Sequence, residues 1–235
     1  MPATPRALAF DVFGTLVDWR TGIADDAAPR LRALGRGDLD PAAFADAWRA
    51  RYQPAMAAVR TGARGWTTLD ALHRETLEAT LAAFEIVGAP DLAGWTDAWR
   101  RLPAWAEVPA ALARLRGLLP VVTCSNGSLA LTVALARHAG LTFDAIAGPP
   151  LARAYKPDAA AYLATAQALG LDPGELCLVA AHHSDLAAAR AAGLRTAYVD
   201  RPREYGGRPA PDAAAAQGWD WQADSLAALA DRLGA

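Results

Sequence analysis

RALAFDVFGTLV, residues 6–17, is a short apolar run that ends in Asp11, Gly14 and Thr15. It predicts a buried strand that empties into a tight polar loop. After residue 105 an alternation begins. VPAALARL (108–115) has helical spacing, and LLPVVTCSNG (118–127) is a strand ending in polar residues. LALTVALARHAG (129–140) is a helix closed by Gly140, FDAIAG (143–148) a short strand, and KPDAAAYLATAQALG (156–170) a helix. ELCLVAAH (175–182) is a strand, DLAAARAAG (185–193) a helix, LRTAYVD (194–200) a strand and SLAALADRL (225–233) the last helix. Strand–helix alternation of this kind builds a parallel, helix-covered sheet. The fold class is therefore α/β, with a Rossmann-like parallel core.

Residues 20–105 read differently. They contain no convincing buried strand, but with Trp19 at their edge they hold Trp48, Trp66, Trp95 and Trp99 and long alanine- and leucine-rich stretches. DPAAFADAWRARYQPAMAAV (40–59) and LDALHRETLEATLAAF (69–84) have helical spacing. Asp40 before Pro41 predicts an N-cap with proline at the first helical position. The chain thus divides into a core, 1–16 and 100–235, and a helical insertion, 17–99. The alanine run 213–216 reads as a helical turn or a loop.

The composition narrows the function. The chain has 235 residues, 53% hydrophobic, with a net charge of −2, which excludes intrinsic disorder. Its 23 basic residues are balanced by 25 acidic ones, which disfavours a nucleic-acid partner. No apolar run approaches the ~20 residues of a bilayer span. The N-terminal MPATPRALAFDVFG lacks a signal-peptide pattern. Cys124 and Cys177, the two cysteines, sit in apolar strand-like runs and read as buried thiols of a cytoplasmic protein. Among 23 basic residues a single one, Lys156, is lysine, and Asn126 is the one asparagine. Where arginine serves every generic need for positive charge, a retained lysine marks a site that needs a compact ammonium, unless it is a surface residue left by chance.

In open parallel sheets, ligands bind at the carboxyl ends of the strands. The first strand ends at Asp11, a second at Ser125–Asn126 and a later one at His182 to Asp185, while Lys156 opens a helix between the last two. Singly, each has a structural explanation: Asp11 as a turn former, Ser125 and Asp185 as helix N-caps. Together they predict a site.

These residues carry a family resemblance. DVFGT (11–15) resembles the nucleophile motif of the haloacid dehalogenase superfamily, and TCSNGS (123–128), YKPD (155–158) and HHSD (182–185) resemble its three following motifs in order. The resemblance covers essentially the whole chain and implies that the insertion is the superfamily's cap. Trp48-Arg49, Ser125–Ser128, Tyr155–Asp158 and Tyr162 are similar to the pattern of the L-2-haloacid dehalogenases. Phosphatases of the superfamily carry a second aspartate where Phe13 stands here, and a phenyl ring cannot protonate a leaving group. Halide leaves without a proton. The fourth motif also has one acid, which argues against Mg²⁺. The expectation is therefore no cofactor and no metal, with a Mg²⁺-dependent small-molecule phosphatase and a non-catalytic binding protein as alternatives.

The resemblance implies hydrolysis of a short 2-haloalkanoic acid, with that acid, water and halide as the partners and a homodimer compatible with the apolar chain. It implies Asp11 as nucleophile, Lys156 to keep it ionised, Asp185 to hold Lys156 and position water, and Arg49 to stabilise the departing halide. Thr15 would fix the Asp11 loop. Leu16, Ser125, Asn126, Tyr162 and His182 would bind substrate. Ala180 and His182 stand where the better-known dehalogenases carry serine and asparagine. His182 is either a replacement donor, a contact to halide or water that extends the reaction to fluoroacetate, or a hydrogen-bonded strand-end histidine. His73, His138 and His183 read as structural.

Overall fold

The computed structural model describes residues 4–235. Five parallel strands form one sheet in the order β2-β1-β3-β4-β5. The first, β1 (Ala7–Phe10), is buried on both faces, as an uninterrupted apolar run demands. Between it and β2 the chain is helical: α1 (Trp19–Ala33), α2 (Pro41–Ala50), α3 (Tyr52–Arg60), α4 (Leu69–Ala83), α5 (Leu92–Thr96) and a 3₁₀ turn over Asp97–Arg100. Helix α6 (Val108–Leu118) leads to β2 (Val121–Thr123). Then come α7 (Leu129–His138), α8 (Pro149–Ala152), α9 (Ala159–Ala168) and β3 (Leu176–Ala180). The chain ends through α10 (His183–Ala191), β4 (Arg195–Val199), β5 (Trp221–Ala223) and α11 (Leu226–Leu233).

β1 pairs with β2 on one side and β3 on the other, with Leu8 opposite both Val121 and Cys177. The strand order therefore reverses between β1 and β3, and a crevice opens at their carboxyl ends. The insertion leaves and rejoins the core at one neck. Val17 bridges Ala104, Asp18 N–H donates to the Pro103 carbonyl at 2.9 Å, and Trp105 N–H donates to the Leu16 carbonyl at 3.1 Å. An aromatic cluster holds the insertion together. Phe44 lies 5.4 Å from Trp95, and Trp48 lies 5.5 Å edge-on to Trp99. Among the described residues no helix is long and apolar enough to cross a membrane. Cys124 and Cys177 are both buried and unbridged.

Four expectations change. The predicted helix over 40–59 is two helices broken at Arg51. Pro54 has no N–H for the Ala50 carbonyl, so it fits only the first turn of a new helix. Asp40 does cap α2, accepting from the Ala42 N–H at 2.9 Å. The stretch 143–148 is not a strand: Ala145 makes a single bridge to Val122, and the Ala147 carbonyl is taken by the Thr123 hydroxyl at 2.6 Å instead of a ladder partner. Lys156 lies in the turn before α9 rather than in it, because Asp158 is the N-cap. The fifth strand, Trp221–Ala223, is too short for its pattern to show in sequence.

Candidate active site

The loop after β1 is built around Asp11. Its N–H donates to the Val179 carbonyl of β3 at 3.0 Å, so the side chain stands over the strand-order reversal. The Thr15 hydroxyl donates to Asp11 Oδ2 at 2.7 Å and accepts from the Ala181 N–H at 2.9 Å. Gly14 closes the turn at φ +91°, and a Cβ there would collide with the Glu204 carboxylate.

Lys156 Nζ donates to Asp11 Oδ1 at 2.9 Å and to Asp185 Oδ2 at 2.6 Å. Tyr162 donates its hydroxyl to the other Asp185 oxygen at 2.6 Å. Asn126 positions the lysine through the backbone: its Oδ1 accepts from the Lys156 N–H at 2.8 Å, and its Nδ2 points at the Lys156 carbonyl at 3.5 Å. Burial opposes the charge on Lys156, but Asp11 and Asp185 hold its pKa well above the usual lysine value.

The opposite side of Asp11 holds His182. Its Nδ1 lies 3.2 Å from Asp11 Oδ2, and its Nε2 lies 3.0 and 3.1 Å from the two Glu204 oxygens. Glu204 is 2% exposed and also accepts from Trp19 Nε1 at 2.9 Å. Burial disfavours a charged imidazole, yet the carboxylates of Glu204 and Asp11 raise its pKa well above the ordinary histidine value. His182 is thus an imidazolium donating from both nitrogens. Burial alone would raise the pKa of Asp11. Lys156 and His182 outweigh it and hold the carboxyl well below its usual range.

A cavity of about 680 Å³ opens over these groups, lined by Asp11, Phe13, Arg49, Tyr52, Asn126, Lys156, His182 and Asp185 among others. Arg49 enters from α2. Its guanidinium carbon lies 4.1 Å from the Tyr52 ring centre and 5.3 Å from that of Trp19, and its buried Nη1 has no acceptor among the described residues. Phe13 lines the cavity and packs edge-on against Trp99 at 5.9 Å.

The sequence-predicted residues therefore fall into two groups. Asp11, Lys156, Asp185, Arg49, Asn126 and His182 meet in the cavity. Thr15, Leu16, Ser125 and Tyr162 do not line it. Thr15 and Tyr162 lie behind Asp11 and Asp185 as hydrogen-bond donors. Leu16 is fully buried in the apolar core beneath the loop, because its place in the turn aims it away from the strand ends. The Ser125 hydroxyl is turned to the Gly127 N–H, 3.2 Å away. His183 is structural, stacked on Tyr198 at 4.4 Å and accepting from Trp219 Nε1. Glu204 and Tyr52 went unread in the sequence, and Trp19 had no site role there. A signal for Glu204 did exist, since it follows the carboxyl end of a predicted strand.

A protein-family model for haloacid dehalogenase-like hydrolases matches residues 5–193. The (S)-2-haloacid dehalogenase of Pseudomonas sp. strain YL is 30% identical over 96% of this chain and 93% of its own. The enolase-phosphatase E1 of Sorangium cellulosum is 31% identical over 86% of this chain and 91% of its own. The crystal structure of the defluorinating L-2-haloacid dehalogenase Rha0230 superposes with a TM-score of 0.94 at 42% identity, covering all of both chains. With this fold, this order of strand-end residues and these matches, the chain belongs to the haloacid dehalogenase-like hydrolases.

Proposed function

We propose that this chain hydrolyses the carbon–halogen bond of short 2-haloalkanoic acids, fluoroacetate included, to give 2-hydroxy acids through an ester on Asp11. The observation that carries the reading is Asp11 itself: a carboxylate held ionised by Lys156 and His182, facing a cavity whose Arg49 has a free N–H and whose Phe13 supplies no proton. The similarity to haloacid dehalogenases supports it. In this reading residues 1–16 and 100–235 form the core and 17–99 the cap, the protein is cytoplasmic, and it forms a homodimer.

An Asp11 oxygen attacks C2 of the substrate, and the carbon–halogen electron pair leaves as halide toward Arg49. Asn126 and the Tyr52 hydroxyl, which burial keeps protonated, face the substrate carboxylate. Esterification removes the charge of Asp11 and with it one of the two anions that hold the His182 proton. That proton passes to solvent water, while the halide leaves as the free anion. The neutral ring, still anchored by Glu204, then takes a proton from water as the water oxygen attacks the Asp11 ester carbonyl. The second water hydrogen goes to the product alkoxide, and Asp11 and the imidazolium are restored. Asp185 holds Lys156 and orients the water. Thr15 and Tyr162 act as positioning residues, and Leu16 and Ser125 shape the loops around the site.

The test is halide release from L- and D-2-chloropropionate, chloroacetate and fluoroacetate in EDTA, against an Asp11→Asn control. Release that survives EDTA and vanishes in the control supports the reading. The likeness to enolase-phosphatase E1 favours a second reading, a Mg²⁺-dependent phosphatase. Its donor set fits poorly, because Asp11 and Asp185 are both already bound by Lys156. Silence toward every haloacid, with Mg²⁺-dependent phosphate release from phosphate esters, would favour it instead.

A further inference from the structure

The charges in the cavity nearly all have partners. Asp11, Lys156, Asp185, His182 and Glu204 alternate in sign, and Arg49 lies within electrostatic reach of Glu204. Arg208 at the rim pairs with Asp46 at 2.6 Å. Besides Arg49, whose unbonded Nη1 serves the departing halide in the dehalogenase reading, one cavity arginine among the described residues keeps a buried, unbonded Nη1: Arg60. It ends α3 and lines the same cavity, and its side chain is only 21% exposed. Its Nη1 is buried and has no acceptor among the described residues. The Asp158 carboxylate forms a loose ion pair with it, 3.9 Å from Nε and beyond hydrogen-bond distance, and is 46% exposed. Asp158 follows Lys156-Pro157, and Pro157, Lys156, Asp11 and Arg60 all line the one cavity.

A buried guanidinium donor left unbonded costs stability unless a ligand satisfies it. Its planar fork matches a carboxylate. The cavity, at about 680 Å³, is also far larger than a two- or three-carbon haloacid requires. A longer substrate that begins at Asp11 has room to end at Arg60.

We propose that Arg60 is a specificity residue that receives a second carboxylate at the far end of the substrate, so that 2-halogenated dicarboxylic acids are preferred over monoacids of equal length. This rests on the dehalogenase reading and names a substrate class for the same site. The attacked carbon, the halide and the Asp11 ester remain those of the monoacid reaction, so no new co-reactant is needed.

The experiment compares 2-chlorosuccinate with 2-chlorobutyrate, and 2-chloroglutarate with 2-chloropentanoate, by halide release corrected with the Asp11→Asn protein. In the unaltered enzyme the diacid-to-monoacid ratio of kcat/KM should exceed one for at least one pair. In Arg60→Gln that ratio should fall by about tenfold, the effect of losing one charged hydrogen-bonding partner, with the change in KM rather than kcat. Arg60→Lys should restore part of it. A ratio at or below one for both pairs in the unaltered enzyme overturns the proposal without needing any variant to fold. An unchanged ratio in Arg60→Gln overturns it as well, as does an equal loss on both acids. No halide from any acid, monoacids included, sinks the dehalogenase reading instead.

Discussion

Asp11 is held from two sides by partners of opposite origin. On one side Lys156, Asp185 and Asn126 come from short motifs at strand ends, and each touches its neighbour through one well-aligned bond. On the other side His182 reaches Asp11, but what anchors His182 is Glu204, from an irregular loop after β4, with Trp19 at the start of the helical insertion. The first side fixes a charge. The second couples a titratable ring to both the core and the insertion. The Lys156 side therefore serves as permanent electrostatics, whereas the His182 side can change protonation as Asp11 is esterified and released.

The strongest way to break this contrast is Lys156→Met. It leaves the buried Asp11 and the part-buried Asp185 without their shared ammonium, and breaking a buried pair typically costs about 3–5 kcal/mol of stability. Halide release should fall by about a thousandfold or more, in line with the loss of a major electrostatic contact. The acid limb of the pH–rate profile should move to higher pH, because burial then raises the pKa of Asp11 with only His182 opposing it. Chemical denaturation and a pH–rate profile check both. An acid limb that stays in place would mean that His182 alone keeps Asp11 ionised.

The second test sharpens the comparison by cutting the opposite side. His182→Asn and Glu204→Gln should each lower turnover by about 100-fold, the low end of the usual range for a general base. The double variant should be little worse than either single one, since both act through one proton. Additive losses would show that Glu204 does something independent of His182.

The same pair has a signature in stability. His182 has a raised pKa in the folded protein, so between the unfolded histidine value and that raised value the folded state holds a proton that the unfolded state lacks. Its contribution is fully present below about pH 6.5 and is lost as pH rises through the folded value. Stability should fall with rising pH in that window, with a slope of at most about 1.4 kcal/mol per pH unit. The slope should disappear in His182→Asn. Thermal melts across pH 5.5–9 would show it, and a flat profile in the unaltered protein would mean that the ring is neutral.

What the sequence revealed follows the same division. Lys156 and Asn126 were legible because each is the single residue of its type in the chain, Asn126 at a predicted strand end and Lys156 at the opening of a predicted helix. The parallel sheet was legible because β1 and β3 are apolar throughout, as strands covered on both faces must be. Glu204 left only its place after a predicted strand as a signal, because it is one of 25 acids in a stretch without periodicity, and only the fold turns it inward. Arg49 was picked out from 22 arginines by its neighbour Trp48, although Trp48 itself packs inside the insertion and bonds the Thr76 hydroxyl. Ser125 shows the limit of a motif. Its position was right, but rotation toward the Gly127 N–H takes the hydroxyl away from the cavity, and no spacing rule encodes that.

The smallest effect expected is also the one that separates touching from positioning on the Lys156 side. Tyr162 never reaches the cavity, and its hydroxyl donates to Asp185, which in turn accepts from Lys156. Burial and the adjacent Asp185 carboxylate both push its pKa up, so it stays protonated and remains a donor across the working range. Tyr162→Phe removes one hydrogen bond to a charged acceptor and almost no volume, a loss of about 1.5–3 kcal/mol if nothing replaces it. Asp185 would keep Lys156 but lose its orientation, so kcat should fall a few-fold while KM for a monoacid barely moves. The pH–rate profile should keep its shape, because neither Asp11 nor His182 loses a partner. A large change in KM would instead place Tyr162 in contact with substrate, and the division between the groups that meet the ligand and those that hold them would have to be redrawn.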